Sequence, residues 1–319
     1  MKNPFRLVRN GERPDPEAAR RALESRSVAD HLTDHRASAT DYQLSPGLET
    51  AINMALAVGS PLLVTGEPGT GKTQLAWYLG DYFGIEVRPF LVKSSSTARD
   101  LQYEFDAVGY LREAYAARGD QEGPDSPPER SRSDFLQPGP LWRAYEDPKA
   151  SVLLIDEIDK APRDFPNDLL HELDQGWFPH PFDKDARGEP VQIPAERTKP
   201  PIVVITSNVE RRLPGPFLRR CVFHHIELDR KLVHAAIEAR RHELRQLPAE
   251  TRERAIDRFW ELRECGLQKS PSTAELLVWL AVLQAQSVAA DALDKDLADL
   301  PALGCLIKDQ EDLERLKRL

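Results

Sequence analysis

The sequence predicts an α/β protein: a parallel five-stranded sheet with helices on its faces, followed by an all-helical unit. Three observations carry this expectation. Short apolar runs at 61–65, 86–93, 151–156, 201–206 and 222–228 alternate with segments long enough for helices, the rhythm of repeated βα units. The run Ser151-Val-Leu-Leu-Ile-Asp156 is apolar without interruption, as a strand covered on both faces must be. From residue 230 onward the apolar spacing is helical throughout, which marks a change of unit.

The elements follow in order. Residues 1–40 are polar, with Arg and Asp/Glu interspersed, and read as a loosely packed arm with room for one helix at about 16–33. The ordered core is expected over 41–229, beginning near Tyr42. Leu48, Ile52, Ala55 and Leu56 fall on one face of a helix over 46–58. A strand at 61–65 leads through a glycine-rich turn into a helix at 72–83, and a strand follows near 86–93. Residues 97–117 read as one helical run, and 119–134 as a mobile loop rich in Pro, Gly and charge. After the strand at 151–156 come a helix at 163–175 and a Pro- and Gly-rich stretch at 176–200, with Val191-Gln-Ile193 as a hairpin arm. Strands at 201–206 and 222–228 complete the sheet. The helical unit over 230–319 is read as helices at 230–247, 249–265, 272–289 and 305–319.

Charge and cysteine content exclude several classes. Among 319 residues the net charge is −9, which disfavours a surface that coats nucleic acid. The three cysteines, Cys221, Cys265 and Cys305, form no CxxC pair and no Cys/His cluster, so neither a zinc site nor a disulfide framework is expected. The N-terminal stretch lacks the apolar region of a signal peptide, and no apolar run nears the ~18 residues of a membrane span. A soluble cytoplasmic protein with reduced thiols is the expectation.

The sharpest signal is Gly66-Glu67-Pro68-Gly69-Thr70-Gly71-Lys72-Thr73. It fits G-x-x-x-x-G-K-[ST] and sits between an expected strand and an expected helix, the context that gives this motif meaning. Triphosphate oxygens must be approached by backbone N–H groups, and glycines permit that approach. The helix that starts at Lys72 turns its free N–H groups and positive dipole end toward the anion. Lys72 offers a mobile charge to the β/γ oxygens, and Thr73 a hydroxyl to Mg²⁺.

The strand at 151–156 ends in Asp156-Glu157. In a parallel sheet ligands lie at the carboxyl edge of the strands, so Asp156 is read as a holder of the Mg²⁺ shell through water. Glu157 is read as the group that orients or deprotonates the attacking water, which makes hydrolysis the expected outcome rather than binding alone. Asn208, at the end of the fourth strand, donates to the γ-phosphate or positions the water if that strand lies between the other two; otherwise it is an Asn opening a turn. Arg219-Arg220 precede the fifth strand and read either as a surface ion pair or as guanidinium forks aimed at a neighbouring subunit's nucleotide.

These motifs, in this order, resemble an AAA+ ATPase over residues 42–228. Gln43-Leu-Ser-Pro-Gly-Leu-Glu, Asp100-Leu-Gln-Tyr-Glu-Phe-Asp-Ala, Gly139-Pro-Leu-Trp142, Asp156-Glu-Ile-Asp-Lys-Ala-Pro162 and Leu213-Pro-Gly-Pro-Phe-Leu-Arg-Arg220 resemble the MoxR family within it. The resemblance implies ATP and Mg²⁺ as ligands, a ring hexamer with nucleotide at subunit interfaces, and a C-terminal helical lid. It implies chaperone-like action on a client protein or a von Willebrand factor A-type partner. It also implies inserts at about 104–137 and 176–200 that face the ring's pore. Lys184, Arg187, Arg197 and Lys199 make the second insert locally basic, and Trp177-Phe178 are either a gripping pair or packing beneath the loop. Ala274 stands where such lids often carry an arginine, so no site is assigned there. Two rivals remain: a nucleic-acid-linked motor of the restriction GTPase type, and a nucleotide-timed switch in a multi-component defence or regulatory system.

Overall fold

The computed structural model describes residues 17, 21, 42–119, 131–194, 200–208 and 210–318. The expected N-terminal arm lies outside the described residues apart from Glu17 and Arg21, and so does most of the expected loop at 119–134. The chain divides into two compact units. One comprises Leu44–Gly66 and Leu75–Ile226. The other comprises Glu67–Gln74 and Glu227–Leu319, with the described residues of Met1–Gln43.

The first unit opens with α1, Pro46–Val58. Ser45 caps it by accepting from the Leu48 N–H at 3.2 Å, Pro46 occupies the first turn where no N–H is needed, and Leu48, Ala51, Ile52 and Ala55 form its buried face. The sheet then assembles from β1 (Leu62–Gly66), β2 (Val87–Leu91), β5 (Val152–Asp156), β8 (Ile202–Ser207) and β9 (Val222–Ile226). Its order is β2-β5-β8-β1-β9, and every pairing is parallel. The five-stranded parallel sheet expected from the sequence is therefore present. All of β1 and nearly all of β5 are buried, which explains their unbroken apolar runs.

One face of the sheet packs against α5 (Pro140–Glu146), α6 (Phe165–Gln175) and α7 (Gly215–Leu218), through Leu141, Trp142, Leu169 and Phe217. Each fully buried Leu or Phe of this kind contributes about 1.5–3 kcal/mol.

Between β2 and β5 the sequence expectation needs correction. The run at 97–117 is not one helix but α3 (Ala98–Gln102), β3 (Tyr103–Phe105) and α4 (Ala107–Gly119). β3 pairs antiparallel with β4 (Leu136–Pro138), aligning Tyr103 with Pro138 and Phe105 with Leu136. Alternating aromatics favour the strand once a partner exists, and Asp106 restarts the helix by accepting from the Gly109 N–H at 2.8 Å. Helix α5 escaped the sequence reading. Pro140 sits at its start and Leu141, Trp142, Ala144 and Tyr145 are buried.

The segment after α6 is a hairpin, β6 (Phe178–Lys184) with β7 (Pro190–Ile193). Phe178 is buried to 1%, its ring 5.7 Å from that of Trp142 and 6.1 Å from that of Tyr145. Of the two readings of Trp177-Phe178, Phe178 takes the packing one. Lys184 and Arg187 are exposed, but Asp183, Asp185 and Glu189 accompany them, so the described hairpin is mixed in charge rather than basic. Arg197 and Lys199 lie outside the described residues.

The second unit packs α8 (Arg230–Ala239), α9 (Ala249–Glu264), α10 (Thr273–Ala285) and α11 (Gln310–Leu316) around Phe259, Trp279, Leu280 and Leu283. Three helices are shorter than the spacing suggested. After Ala239 the chain forms turns held by Gln284, which donates to the Glu243 carbonyl at 2.9 Å and accepts from the Gln246 N–H at 2.9 Å. Short 3₁₀ turns at Ala290–Leu293, Leu297–Asp299 and Leu303–Cys305 lie between α10 and α11. Asp312 is 1% exposed, and its carboxylate takes the N–H groups of Gln268 and Lys269 at 2.7 and 3.0 Å.

Candidate functional site

Parallel pairing brings the last residues of the strands to one edge of the sheet. Ser207 aligns with Thr65, Ile226 with Gly66, and Asp156 with Leu91. β8 runs between β5 and β1, which meets the condition set for Asn208.

At this edge a small polar cluster is built around Thr206, which is 1% exposed. Its hydroxyl donates to Asp156 Oδ1 at 2.6 Å and accepts from the Glu157 N–H at 2.9 Å. The Glu157 carboxylate takes the Asn208 side-chain N–H on Oε1 at 3.4 Å and the Lys160 ammonium on Oε2 at 2.6 Å. That carboxylate holds Lys160 above its usual pKa. Glu157 itself sits at φ 61°, ψ 50°, a left-handed conformation that a side chain enters only at a cost of about 1–3 kcal/mol. The strain turns Glu157 out of the line of β5, so successive carboxylates take different directions.

Asp159 fixes the far side of the cluster. It is 3% exposed and accepts from the Asn208 N–H at 3.2 Å and the Glu210 N–H at 3.1 Å. A carboxylate satisfied by two backbone donors is a buried charge the fold can bear. The structure thus gathers Asp156, Glu157 and Asn208, and adds Thr206, Asp159 and Lys160, to which no role was given beforehand. The spacing of Asp156 and Asp159, flanking a strand end, was their available signal.

The glycine-rich turn follows β1 and leads into α2 (Lys72–Phe83). Gly69 and Gly71 have φ of 78° and 88°, where a side chain is strained. A Cβ on Gly71 would stand 3.0 Å from the Tyr42 ring, and one on Gly69 would stand 3.1 Å from the Ala274 nitrogen. The turn therefore presents bare backbone where side chains have neither conformation nor room. The Glu67 carbonyl accepts from Lys72 Nζ and from Thr70 Oγ1, each at 2.8 Å. Lys72 and Thr70 are 6% and 4% exposed. Pro68 completes the bend, and Thr73 is the second residue of α2. Burial holds the Tyr42 hydroxyl well above its ordinary pKa, so it stays protonated.

Arg219 and Arg220 are not part of this cluster. They precede β9, whose first residue donates its N–H to the Pro61 carbonyl at 2.9 Å, at the opposite edge of the sheet from Asp156. Both are exposed, and Arg220 Nε lies 3.2 Å from Asp174 Oδ2.

The residues fit a triphosphate and a divalent cation. The bare turn is a cradle a Cβ would fill, and Thr73 within it is a hard oxygen donor of the type Mg²⁺ prefers; Asp156, on the sheet unit, is another of that type. Among the described residues no group of three or more His, Cys, Asp or Glu is arranged to hold a metal.

Comparison with known proteins bears on the same region. Residues 61–221 match the AAA domain (dynein-related subfamily). No curated protein matches the chain. Among solved structures it is similar to a putative ATPase from Cytophaga hutchinsonii, with 13% identity, a TM-score of 0.39, and coverage of 91% of this chain and 94% of that one. Among the described residues no helix is long and apolar enough to cross a membrane.

Proposed function

The chain belongs to the AAA domain family, dynein-related subfamily, and from that premise we propose that it is a MoxR-like, Mg²⁺-dependent machine that spends ATP to remodel a partner protein. It is an ATP hydrolase built on the P-loop fold of that family. The observation that carries the finer reading is the Thr206 hydroxyl shared by Asp156 and Glu157, with Asn208 on the Glu157 carboxylate.

In this reading the backbone of Gly66, Glu67, Pro68, Gly69, Thr70 and Gly71 binds the triphosphate. Lys72 leaves the Glu67 carbonyl to meet phosphate oxygens, exchanging one acceptor for charged ones. Thr73 and Asp156 would hold Mg²⁺, which when bound neutralises charge on the phosphates and polarises them. Thr206 keeps the Asp156 carboxylate oriented. Glu157 takes the proton of the attacking water at a carboxylate oxygen, and Asn208 and Lys160 hold that carboxylate in place beforehand.

Arg219 and Arg220 precede β9, at the sheet edge opposite Asp156, and are assigned to a neighbour's nucleotide. This is the basis for proposing a homo-oligomeric ring, six-membered by family resemblance, with residues 41–229 as the nucleotide-binding core and 230–319 as the lid. The partner is a client protein or a von Willebrand factor A-type protein, met by the inserts at about 104–137 and 176–200.

The test is the dependence of turnover on protein concentration. Specific ATPase activity should rise with concentration as subunits assemble. Arg220→Ala should lower kcat by about 10³-fold or more while nucleotide affinity stays within about threefold, the pattern of an arginine supplied in trans. Specific activity that is flat with dilution and indifferent to Arg220 would refute the shared site.

A further inference from the structure

We propose that Arg263, near the end of α9, is a positioning residue for the phosphate loop, acting by neutralising and anchoring Glu67. The inference rests on the nucleotide-binding reading above and adds a member to it.

Glu67 has two faces. Its backbone carbonyl is the acceptor that holds Lys72 Nζ and Thr70 Oγ1, so the orientation of this one peptide sets where the lysine waits. Its side chain places a carboxylate within a turn whose task is to bind a polyanion. Left alone, that carboxylate would repel the ligand. Arg263 Nη2 meets Glu67 Oε2 at 2.6 Å, from a position 196 residues away in sequence.

The arginine is itself built in. Its side chain is 12% exposed, against 51% for that of Glu67. Nη1 donates to the Pro271 carbonyl at 2.5 Å, just before α10. Its guanidinium carbon lies 5.8 Å from the Phe259 ring centre and 5.7 Å from that of Trp260. Two charge-assisted hydrogen bonds in different directions, over two aromatic rings, fix the planar fork in a way that a flexible surface pair is not fixed. A merely exposed ion pair would matter little; this one has a held partner and acts on a residue of the loop.

The arrangement also accounts for Ala274. A Cβ on Gly69 would lie 3.1 Å from the Ala274 nitrogen and 3.1 Å from Ser272 Cβ, so the start of α10 meets the loop with backbone and a short cap. The guanidinium that reaches the loop comes from α9 instead.

The experiment uses the full chain and measures the Kd of a fluorescent ATP analogue and of the matching ADP analogue, with steady-state KM and kcat for ATP and a thermal melt of each protein. Arg263→Ala should raise both Kd values and KM about tenfold, the equivalent of about 1.4 kcal/mol, with kcat changed less than about threefold. Adding Glu67→Gln to that variant should bring the Kd values back to within about threefold of wild type, because the exposed carboxylate is then gone. A purely structural arginine would not be rescued by neutralising its partner. Should Arg263→Ala melt well below wild type, Arg263→Gln keeps a donor for the Pro271 carbonyl and carries the same test. Unchanged affinity in Arg263→Ala, or a loss that Glu67→Gln leaves in place, overturns the inference while the nucleotide reading stands. A wild-type chain that binds neither analogue overturns both.

Discussion

The Thr206 hydroxyl satisfies a half-buried acceptor on Asp156 and a backbone donor on Glu157 at once. Thr206→Val keeps the shape and removes both bonds. We expect a loss of about 1–3 kcal/mol in a urea melt, with a fall in turnover because the Asp156 carboxylate and the Glu157 backbone are then no longer tied together. Cys221 offers a test by pH. Burial, aided by Asp174, pushes its thiol from the ordinary 9.0 up to about 12. The neutral thiol is the form the fold favours. Its contribution to stability is therefore complete below about pH 9, the unfolded value, and is lost as pH rises toward 12. At pH 8 the native thiol should resist alkylation and react once the chain is unfolded, a difference that mass spectrometry of the Cys221 peptide reads directly.

Elements differ in how far local sequence specifies them. β1, the turn and α2 are written in adjacent residues, so each was legible; on α1 Leu48, Ile52 and Ala55 are buried as read, but Leu56 is 37% exposed and Ala51 takes its place on the buried face. β3 was not. Tyr103-Glu-Phe105 becomes a strand only because Leu136–Pro138 arrives beside it from beyond α4, and no local pattern announces a distant partner. The early end of α8 has the same cause, since Gln284 on α10 supplies the bonds that the next helical turn would have made. At this scale the phosphate turn makes its own prediction. Gly71→Ala forces a side chain into a φ of 88° and against the Tyr42 ring. The strain of about 1–3 kcal/mol should appear as a lowered melting temperature, and ATP binding by calorimetric titration should fall at least tenfold.

For the whole molecule, the strand order β2-β5-β8-β1-β9 turns scattered motifs into a site. Asn208 acquires meaning from β8 lying between β1 and β5, which the residues of β8 alone do not state. Asp156, Glu157 and Asn208 were legible as chemistry, since each is a polar residue ending an apolar strand. Their couplings through Thr206 and Asp159 were not, because hydrogen bonds across strands depend on register. The pairing of Arg263 with Glu67 had no sequence signal at all. The acidic balance of the chain, −9 overall, sits comfortably with a protein partner and poorly with a polyanionic one.

The central claim is that Glu157 activates water for attack on a nucleotide held by the glycine-rich turn. Rapid-quench measurement of phosphate release by wild type and Glu157→Gln, with bound nucleotide counted in the same samples, tests it most directly. The account predicts that Glu157→Gln retains ATP at wild-type occupancy while phosphate release falls by about 10²–10⁴-fold. Release at the wild-type rate from Glu157→Gln would contradict it.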